Sequence, residues 1–308
     1  MPKKPPTEPK ESGPSKTSDH YDLFVAVKNA IYSLPSSFES SLRISNVLAT
    51  DLFAFNSALS ATIEEQVVAS LNKLRAVWDP DQTYALYAFE RQPQTFPDVI
   101  LKASSLEIPT QIILGIELKV WYVLAKEREP SFRYKVTPAV CADADLLVVV
   151  PWALSEVVSG TPKIFKPFVT SAKYAAQYKN WYWQHKMTGK SDKSITLSKV
   201  VQHYPSKSDM ISDVPASDGG NNFGRLARAG ILNDYRIELF KERLVGISLS
   251  SWQRFLAIFT ESSSVDKMND ELEKLAISIA KQSKKTSEKN VALIEKIQEI
   301  IRLTEDRS

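Results

Sequence analysis

The segment from Gln111 to Ala125, which reads QIILGIELKVWYVLA, constrains the fold more than any other part of the chain. Its even-numbered positions are all apolar or aromatic, and successive side chains of a β-strand point to opposite faces of the sheet. The pattern therefore predicts one long strand with an uninterrupted core face. Among the odd-numbered positions, Glu117 and Lys119 are neighbours on the opposite face, about 7 Å apart along the strand.

The segments around this strand predict a mixed β-sheet flanked by helices. Residues 83–89 and 96–103 are rich in β-branched and aromatic residues, so they predict two earlier strands of an antiparallel meander. The apolar run 145–154 predicts a strand buried on both faces. Apolar residues at helical spacing predict helices over 21–34, 58–77 and 170–187. We therefore expect an α/β sandwich. A doubly wound nucleotide-binding fold is disfavoured because no glycine-rich loop follows a strand.

The composition divides the chain into three parts. Residues 1–19 contain almost nothing to bury and predict a disordered tail. Residues 20–262 predict the folded domain, and the hydrophobic content of 43% for the whole chain is typical of a globular protein. Residues 263–308 contain two amphipathic stretches and predict a C-terminal helical extension.

Two features exclude whole classes of protein. The single cysteine, Cys141, excludes a disulfide framework and a cysteine-rich zinc site. The longest apolar run extends from Leu146 to Leu154, whereas a membrane-spanning helix needs about 20 residues. We therefore expect a cytoplasmic protein without a membrane partner.

Lysine is concentrated in one part of the chain. Between Val157 and Ser208 there are nine lysines and one acidic residue, although the whole chain carries a net charge of only +3. A basic block in an otherwise acidic chain is typical of a protein that binds a polyanion. A solvated lysine-rich surface would have the same composition, so the charge alone leaves both interpretations open.

The chemistry-bearing residues lie on two of the predicted strands. Asp98 follows Pro97 at the start of the strand 96–103, and it approaches Glu117 if the two strands pair. Two adjacent carboxylates disfavour joint ionisation unless a cation neutralises them. Beside Lys119 they form a candidate Mg²⁺ site that can hold a phosphate and activate water. A salt-bridged pair on a solvent-facing strand, with Pro-Asp as a turn, is the structural alternative.

Pro97-Asp98, followed after 18 intervening residues by Glu117-Leu118-Lys119, resembles the motif of the PD-(D/E)XK nuclease superfamily, and in particular of type II restriction endonucleases. The resemblance covers about residues 58–187. It implies a restriction-endonuclease-like αβββαβ core, with additional C-terminal helices in this chain.

The resemblance also implies a role for each residue of the motif. Asp98 and Glu117 would be catalytic metal ligands for Mg²⁺, and Lys119 would orient the attacking water and offset charge on the phosphate. Many members of the superfamily add an acidic residue from the first core helix. Here Glu64 is the better candidate because it borders the apolar stripe of the helix, whereas Glu65 points away. A plain surface glutamate is an equal alternative for Glu64.

Two segments within an inserted region of about residues 157–235 are candidates for DNA recognition. In the helix 170–186, lysines would contact phosphates and amide side chains would read base edges, with the aromatic residues pointing inward. The segment DGGNNFGR (218–225) offers amide and guanidinium donors for bases, or it is a surface loop whose glycines only make turns. The predicted DNA-binding residues are Lys173, Gln177, Lys179, Asn180, Gln184, Lys186, Asn221, Asn222 and Arg225.

Together these features predict a Mg²⁺-dependent, sequence-specific endodeoxyribonuclease of the type II restriction class that acts on double-stranded DNA. A cognate DNA methyltransferase would be its functional partner. A structure-selective or repair nuclease of the same superfamily and a noncatalytic DNA-binding module are the alternatives. Cutting two antiparallel strands most simply requires a homodimer. The stripe of Ile294, Ile297 and Ile301 could form its interface or pack on its own subunit.

Overall fold

The fold is built around a mixed six-stranded sheet, seen in a computed structural model that describes residues 7–45, 52–92, 94–103, 111–188, 192–218, 220, 222–261 and 264–282. The helices are α1 (Tyr21–Ser37), α2 (Leu52–Lys73), α3 (Arg75–Trp78), α4 (Ala172–Trp181), α5 (Leu226–Ala229), α6 (Asn233–Leu239), α7 (Leu249–Glu261) and α8 (Val265–Gln282). The strands are β1 (Tyr87–Arg91), β2 (Val99–Ala103), β3 (Ile112–Tyr122), β4 (Leu146–Leu154), β5 (Pro162–Ile164), β6 (Phe168–Ser171), β7 (Ile195–Thr196), β8 (Val214–Pro215), β9 (Arg243–Leu244) and β10 (Ile247–Ser248).

The strand order confirms the predicted meander and mixed sheet. β1, β2 and β3 are neighbours and run antiparallel to one another. β4 lies beside β3 and is parallel to it. The far edge of β4 is shared, because β6 pairs with its first half and β5 with its second half. Helices pack against this sheet, so the α/β class with a mixed sheet and flanking helices is confirmed.

Burial explains the apolar residue patterns of the central strands β3 and β4. Every residue of β4 is buried, as its continuous apolar run predicts for a strand covered on both faces. β3 is also covered on both faces. On its odd-numbered face Trp121 is only 2% exposed and packs against Phe240 with the ring centres 5.9 Å apart. The face that carries Glu117 and Lys119 is therefore a partly enclosed surface.

The outer edge of the sheet at β1 is covered by side chains from the helices before it. The side chain of Asn72 in α2 donates to the carbonyl of Phe89 and accepts from the amide of Phe89, both at 2.9 Å. Arg75 in α3 donates to the carbonyls of Tyr84 and Tyr87. The contacts with Phe89 and Tyr87 satisfy main-chain groups of β1 on the side where, among the described residues, no further strand pairs with it.

Several sequence-based boundaries differ from those of the structure. The helix predicted over 58–77 is divided into α2 and α3, and the strand predicted over 83–89 begins only at Tyr87. Residues 168–171 form β6, a strand paired with β4, although the helical pattern predicts a helix from Thr170. The helix α4 begins only at Ala172, and a π-helical turn, Tyr182–Lys186, extends it.

The segment predicted as a disordered tail is held on the domain where the structure describes it. Residues 7–19 contain no helix or strand, but the Glu11 carboxylate accepts hydrogen bonds from the Thr170 hydroxyl at 3.0 Å and the Ser171 amide at 3.1 Å. Glu11 therefore attaches this segment to the end of β6, just before α4.

The C-terminal extension is described only as far as α8, whose buried Leu272, Leu275 and Ile279 pack on the core. The stripe of Ile294, Ile297 and Ile301 lies outside the described residues. In the described part of the chain, none of the helices combines the length and the hydropathy that crossing a membrane requires.

Candidate functional site

The pairing of β2 with β3 brings the Pro-Asp and Glu-Leu-Lys segments together. Val99 is the partner of Ile116 in this antiparallel ladder. One step further along, Asp98 therefore lies opposite Glu117, and Lys119 shares a strand face with Glu117 because side chains two residues apart point the same way. The expected convergence of the three side chains follows from this register.

Lys119 lies between the two carboxylates. Its Nζ is 2.9 Å from Asp98 Oδ2 and 2.9 Å from Glu117 Oε1. The backbone amide of Leu118 donates to the same Asp98 oxygen at 3.1 Å. The Asp98 carboxylate is thus oriented by one main-chain donor and one side-chain donor of β3.

Gly115 permits the close approach that positions Asp98. A Cβ atom at this residue would lie 2.3 Å from Cγ of Pro97 and 2.7 Å from Oδ1 of Asp145. Its amide donates to that Asp145 oxygen at 2.8 Å. The sequence analysis missed Gly115 and Asp145 as supporting residues. The available signal was a glycine inside a strand, which often marks a close approach of two parts of a protein.

Burial sets the protonation properties of the site. Glu117 is 7% exposed, and its burial raises the pKa of the carboxyl to about 7; Lys119 opposes this rise and Asp98 adds to it. Burial disfavours the charged form of Lys119, but Glu117 and Asp98 outweigh that effect and raise its pKa above the usual value. Lys119 therefore remains a cation throughout the physiological pH range.

Glu64 belongs to the same electrostatic cluster, in agreement with its selection over Glu65. Burial and the charge of Asp98 raise the pKa of Glu64, while Lys119 and Arg91 act in the opposite direction. The guanidinium of Arg91, at the end of β1, pairs with the Glu64 carboxylate at 3.2 Å. Glu65 is exposed. The sequence analysis missed Arg91 because its partner lies 27 residues away in the chain.

The residues at this site fit a Mg²⁺ ion bound with substrate. Glu117 Oε2 is buried and has no hydrogen-bond partner among the described residues, so coordination of a cation would satisfy this oxygen. Within the described ranges, no cluster of three or more His, Cys, Asp or Glu side chains is arranged to hold a metal ion. Mg²⁺ commonly uses only one or two protein carboxylates together with waters and substrate phosphates. Asp98 and Glu117 match that requirement.

Lys179 is part of the core, and its predicted contact with DNA is wrong. The inward face of α4 and its π-helical turn consists of Ala172, Ala175, Ala176, Lys179 and Trp183. The Nζ of Lys179 lies 3.0 Å from Asp213 Oδ2 and also donates to the carbonyls of Lys135 and Val136. Asn180 donates to the same Asp213 oxygen at 2.8 Å. Both side chains therefore join α4 to the segments beneath it.

The aromatic residues of α4 and its π-helical turn divide into two groups. Trp183 is buried, as predicted, but the other four are only half-buried, so the predicted inward orientation is wrong for Tyr174, Tyr178, Trp181 and Tyr182. Tyr178 lies 5.8 Å from Tyr174, 5.7 Å from Trp181 and 6.5 Å from Tyr182, measured between ring centres. We call these four residues the aromatic row. Small alanines occupy the inward positions and let the helix pack closely on the sheet, which leaves the larger rings at its flank.

The other residues predicted to contact DNA from this helix differ in accessibility. Gln184 and Lys186 are exposed, and Gln177 is half-buried. Lys173 is half-buried and pairs with Asp143 through an Nζ–Oδ1 distance of 2.8 Å. Gln184 and Lys186 are therefore the most accessible of the group.

The second predicted recognition segment packs beside residues 134 and 135. Gly224 has a positive φ of 83°, and its carbonyl accepts from the amide of Tyr134 at 2.8 Å. Asn222 accepts a hydrogen bond from Arg228, and Arg225 lines a cleft close to the end of β3. Asn221 lies outside the described residues.

The geometry thus unites the four residues that the sequence predicts for catalysis, Glu64, Asp98, Glu117 and Lys119. No family model, curated protein or solved structure matches this chain.

Proposed function

We propose that this chain is a Mg²⁺-dependent, sequence-specific endodeoxyribonuclease of the type II restriction class, which hydrolyses phosphodiester bonds in double-stranded DNA. One observation carries the proposal. Asp98, Glu117 and Lys119 converge with the lysine ammonium 2.9 Å from an oxygen of each carboxylate. Two acids that can share a divalent cation, beside a lysine that remains charged, suit the attack of water on a phosphodiester.

The side chains of this site have separate roles in the proposed reaction. Asp98 and Glu117 would hold Mg²⁺, which supplies charge neutralisation at the phosphate when bound. Lys119, protonated at neutral pH, would orient the water and stabilise the negative charge that develops on the phosphate oxygens. Glu64, held by Arg91, would accept a hydrogen bond from a water or act on the electrostatics of Asp98.

The order of elements supports a restriction-endonuclease-like core but departs from it in one place. A helix, α2, precedes the antiparallel strands β1 to β3, and β4 is parallel to β3. The resemblance implies a helix between the third and fourth strands. In this chain the connection, residues 123–145, is described throughout and contains only a 3₁₀ turn at Pro138–Val140. The helix α4 follows β6 instead.

Incubation of the purified protein with plasmid and phage DNA of varied sequence, in Mg²⁺ and in Mn²⁺, tests the proposal. We expect discrete fragments. Asp98→Ala or Lys119→Ala should lower the cleavage rate by about 100-fold or more while the protein remains folded. Lys102→Ala is the matched control, because Lys102 also forms an ion pair in this sheet, with Glu90 at 2.8 Å.

Two results would contradict the proposal. One is the absence of cleavage of any DNA with either metal. The other is normal cleavage by Lys119→Ala, which would remove Lys119 from the site. Double-strand cleavage also implies a homodimer, and light scattering with and without duplex DNA tests that assembly.

The aromatic row favours a second candidate, a structure-selective nuclease of the same superfamily. Half-exposed aromatic rings can stack on unpaired bases, which a fully paired duplex does not offer. Flap, junction and single-stranded substrates distinguish the two candidates. Faster cleavage of these substrates than of any intact duplex would favour structure selectivity. DNA binding without hydrolysis of any substrate would favour a noncatalytic module.

A further inference from the structure

A cleft of about 470 Å³ lies at the end of β3, close to the proposed catalytic residues. It is lined by Trp121, which is two residues after Lys119 in the same strand. Side chains two residues apart in a strand share a face and are about 7 Å apart. The cleft is therefore a neighbour of Lys119 on the same side of the sheet.

The polar groups that line the cleft are mainly hydrogen-bond donors. The side chains of Lys126, Arg133 and Arg225 contribute cationic donors. The indole N–H of Trp121 is buried and lacks a hydrogen-bond partner in the described part of the chain, and an indole nitrogen can only donate. A buried donor without a partner is costly, so an anion in the cleft that reached this N–H would satisfy it.

The acidic residues of the cleft do not cancel this positive charge. Glu129 is already paired, with Arg228 at 3.0 Å and Arg236 at 3.7 Å. Glu127 is exposed and is the remaining acidic side chain of the lining. Lys126 and Arg133 are exposed and form no ion pair with any described residue. The charge of the cleft therefore favours an anion with several acceptor oxygens.

The loop that contributes Arg225 is fixed in place next to the cleft. A Cβ atom on Gly224 would lie 2.9 Å from the carbonyl oxygen of Tyr134, so glycine permits the backbone of the loop to touch the segment that carries Arg133. The cations thus come from two segments that are joined by a main-chain hydrogen bond between Tyr134 and Gly224.

We propose that this cleft binds a backbone phosphate of the nucleic-acid strand next to the phosphodiester at Asp98, Glu117 and Lys119. The proposal rests on the proposed function, because it assumes that the neighbouring site acts on a nucleic acid. A strand that enters the catalytic site would pass Trp121, whose N–H and the nearby cations would hold the adjoining phosphate. The bound phosphate would fix the strand relative to Lys119.

The test measures the salt dependence of binding of a fluorescent DNA duplex in EDTA, where hydrolysis is prevented. Each phosphate contact contributes about −0.9 to the slope of log K against log salt concentration. The double variant Lys126→Ala/Arg133→Ala, which removes the cations that would hold this one phosphate, should lower the magnitude of the slope by about 0.9. Arg43→Ala/Lys73→Ala, which removes the same charge from exposed positions outside the cleft, should leave the slope unchanged.

A second variant tests the contribution of the indole N–H of Trp121. Trp121→Phe keeps an aromatic ring against Phe240 but removes the N–H. Its salt slope should be unchanged, while its affinity for the duplex should fall about 2- to 10-fold, as expected for the loss of one hydrogen bond.

Calorimetry with inorganic phosphate distinguishes the source of the anion. Binding of free phosphate without any effect of the cleft variants on DNA binding would overturn the proposal.

The outcomes separate this proposal from the nuclease assignment. Equal slopes for the cleft variant and the control variant would overturn the cleft proposal, even if the protein cleaves DNA. A slope that depends on Lys126 and Arg133, in a protein that never hydrolyses DNA, would support the cleft and contradict the nuclease assignment. A protein that neither binds nor cleaves DNA at low salt would overturn both.

Discussion

The guanidinium of Arg91 lies 3.2 Å from the carboxylate of Glu64, and this pair joins the end of β1 to α2 beside the proposed catalytic residues. Burial, and to a smaller extent the charge of Asp98, raise the pKa of Glu64. Arg91 holds Glu64 in that position. Glu64 is thereby distinguished from its neighbour Glu65, which is exposed.

Glu64→Gln should lower the rate of DNA cleavage about 10- to 100-fold, in the range known for residues that support metal ligands. The substitution keeps the size of the side chain and removes its charge. Glu65→Gln is the matched control and should cleave at the rate of the unmodified protein. Single-turnover cleavage of the same plasmid by both variants measures the difference. Equal rates for the two variants would exclude Glu64 from the site.

Lys179→Ala should destabilise the protein by about 3–5 kcal/mol, because it leaves the fully buried Asp213 with an unpaired charge. Lys186→Ala removes an exposed lysine from the same helical segment and should change the free energy of unfolding by less than about 0.5 kcal/mol. Denaturation in urea measures both values. Similar stabilities of the two variants would contradict the structural role of Lys179.

Gly115→Ala should destabilise the protein by about 1–3 kcal/mol, the usual cost of overpacking, and should also impair cleavage. The added methyl group would meet Pro97 and displace the adjacent Asp98. Thermal unfolding and cleavage assays check both effects. A fully active, fully stable Gly115→Ala variant would show that Gly115 does not position Asp98.

Asp145 gives the protein a pH-dependent stability. Burial raises its pKa to about 6, against the opposing hydrogen bonds from the Ala142 and Gly115 amides and the Tyr204 hydroxyl. Between the ordinary pKa of about 3.9 and 6, the folded protein therefore binds more protons than the unfolded chain, and the contribution of Asp145 to stability falls as the pH rises. It is fully present only well below the ordinary pKa of about 3.9 and is lost as the pH rises through about 6.

The variant Asp145→Asn does not titrate, so it isolates this contribution. The unfolding free energy of the unmodified protein minus that of the variant should fall by about 2 kcal/mol between pH 4 and pH 7, since one pKa unit corresponds to about 1.4 kcal/mol and the unfolded carboxyl is already half ionised at pH 4. Urea denaturation at several pH values measures this difference, in which the other titrating groups cancel. A difference independent of pH would contradict the raised pKa of Asp145.

Sequence patterns predicted the parts of the fold that depend on local periodicity. Strict alternation predicted β3 and placed Glu117 and Lys119 on one face. The continuous apolar run predicted β4 as a strand covered on both faces. The position of Asp98 opposite Glu117 followed from the meander, because strands that are adjacent in the chain usually pair.

The remaining features depend on partners that are distant in the chain. The sequence around Lys179 predicts an exposed lysine, because its buried partner Asp213 lies 34 residues later in the chain. Phe168–Ser171 is too short to be separated from the following helix by its pattern, and its pairing with β4 decides its structure. Glu11 bonds to residues about 160 positions away, which no local pattern could indicate.

The side chains that cover β1 have a consequence for association between copies of the protein. An exposed edge strand is a template for edge-to-edge aggregation, because another chain can extend the sheet through its free main-chain groups. Asn72 binds both main-chain groups of Phe89, and Arg75 binds the carbonyl of Tyr87. A second molecule would have to displace these side chains before it could add a strand. The Asn72 and Arg75 side chains therefore protect β1 against uncontrolled edge-to-edge polymerisation.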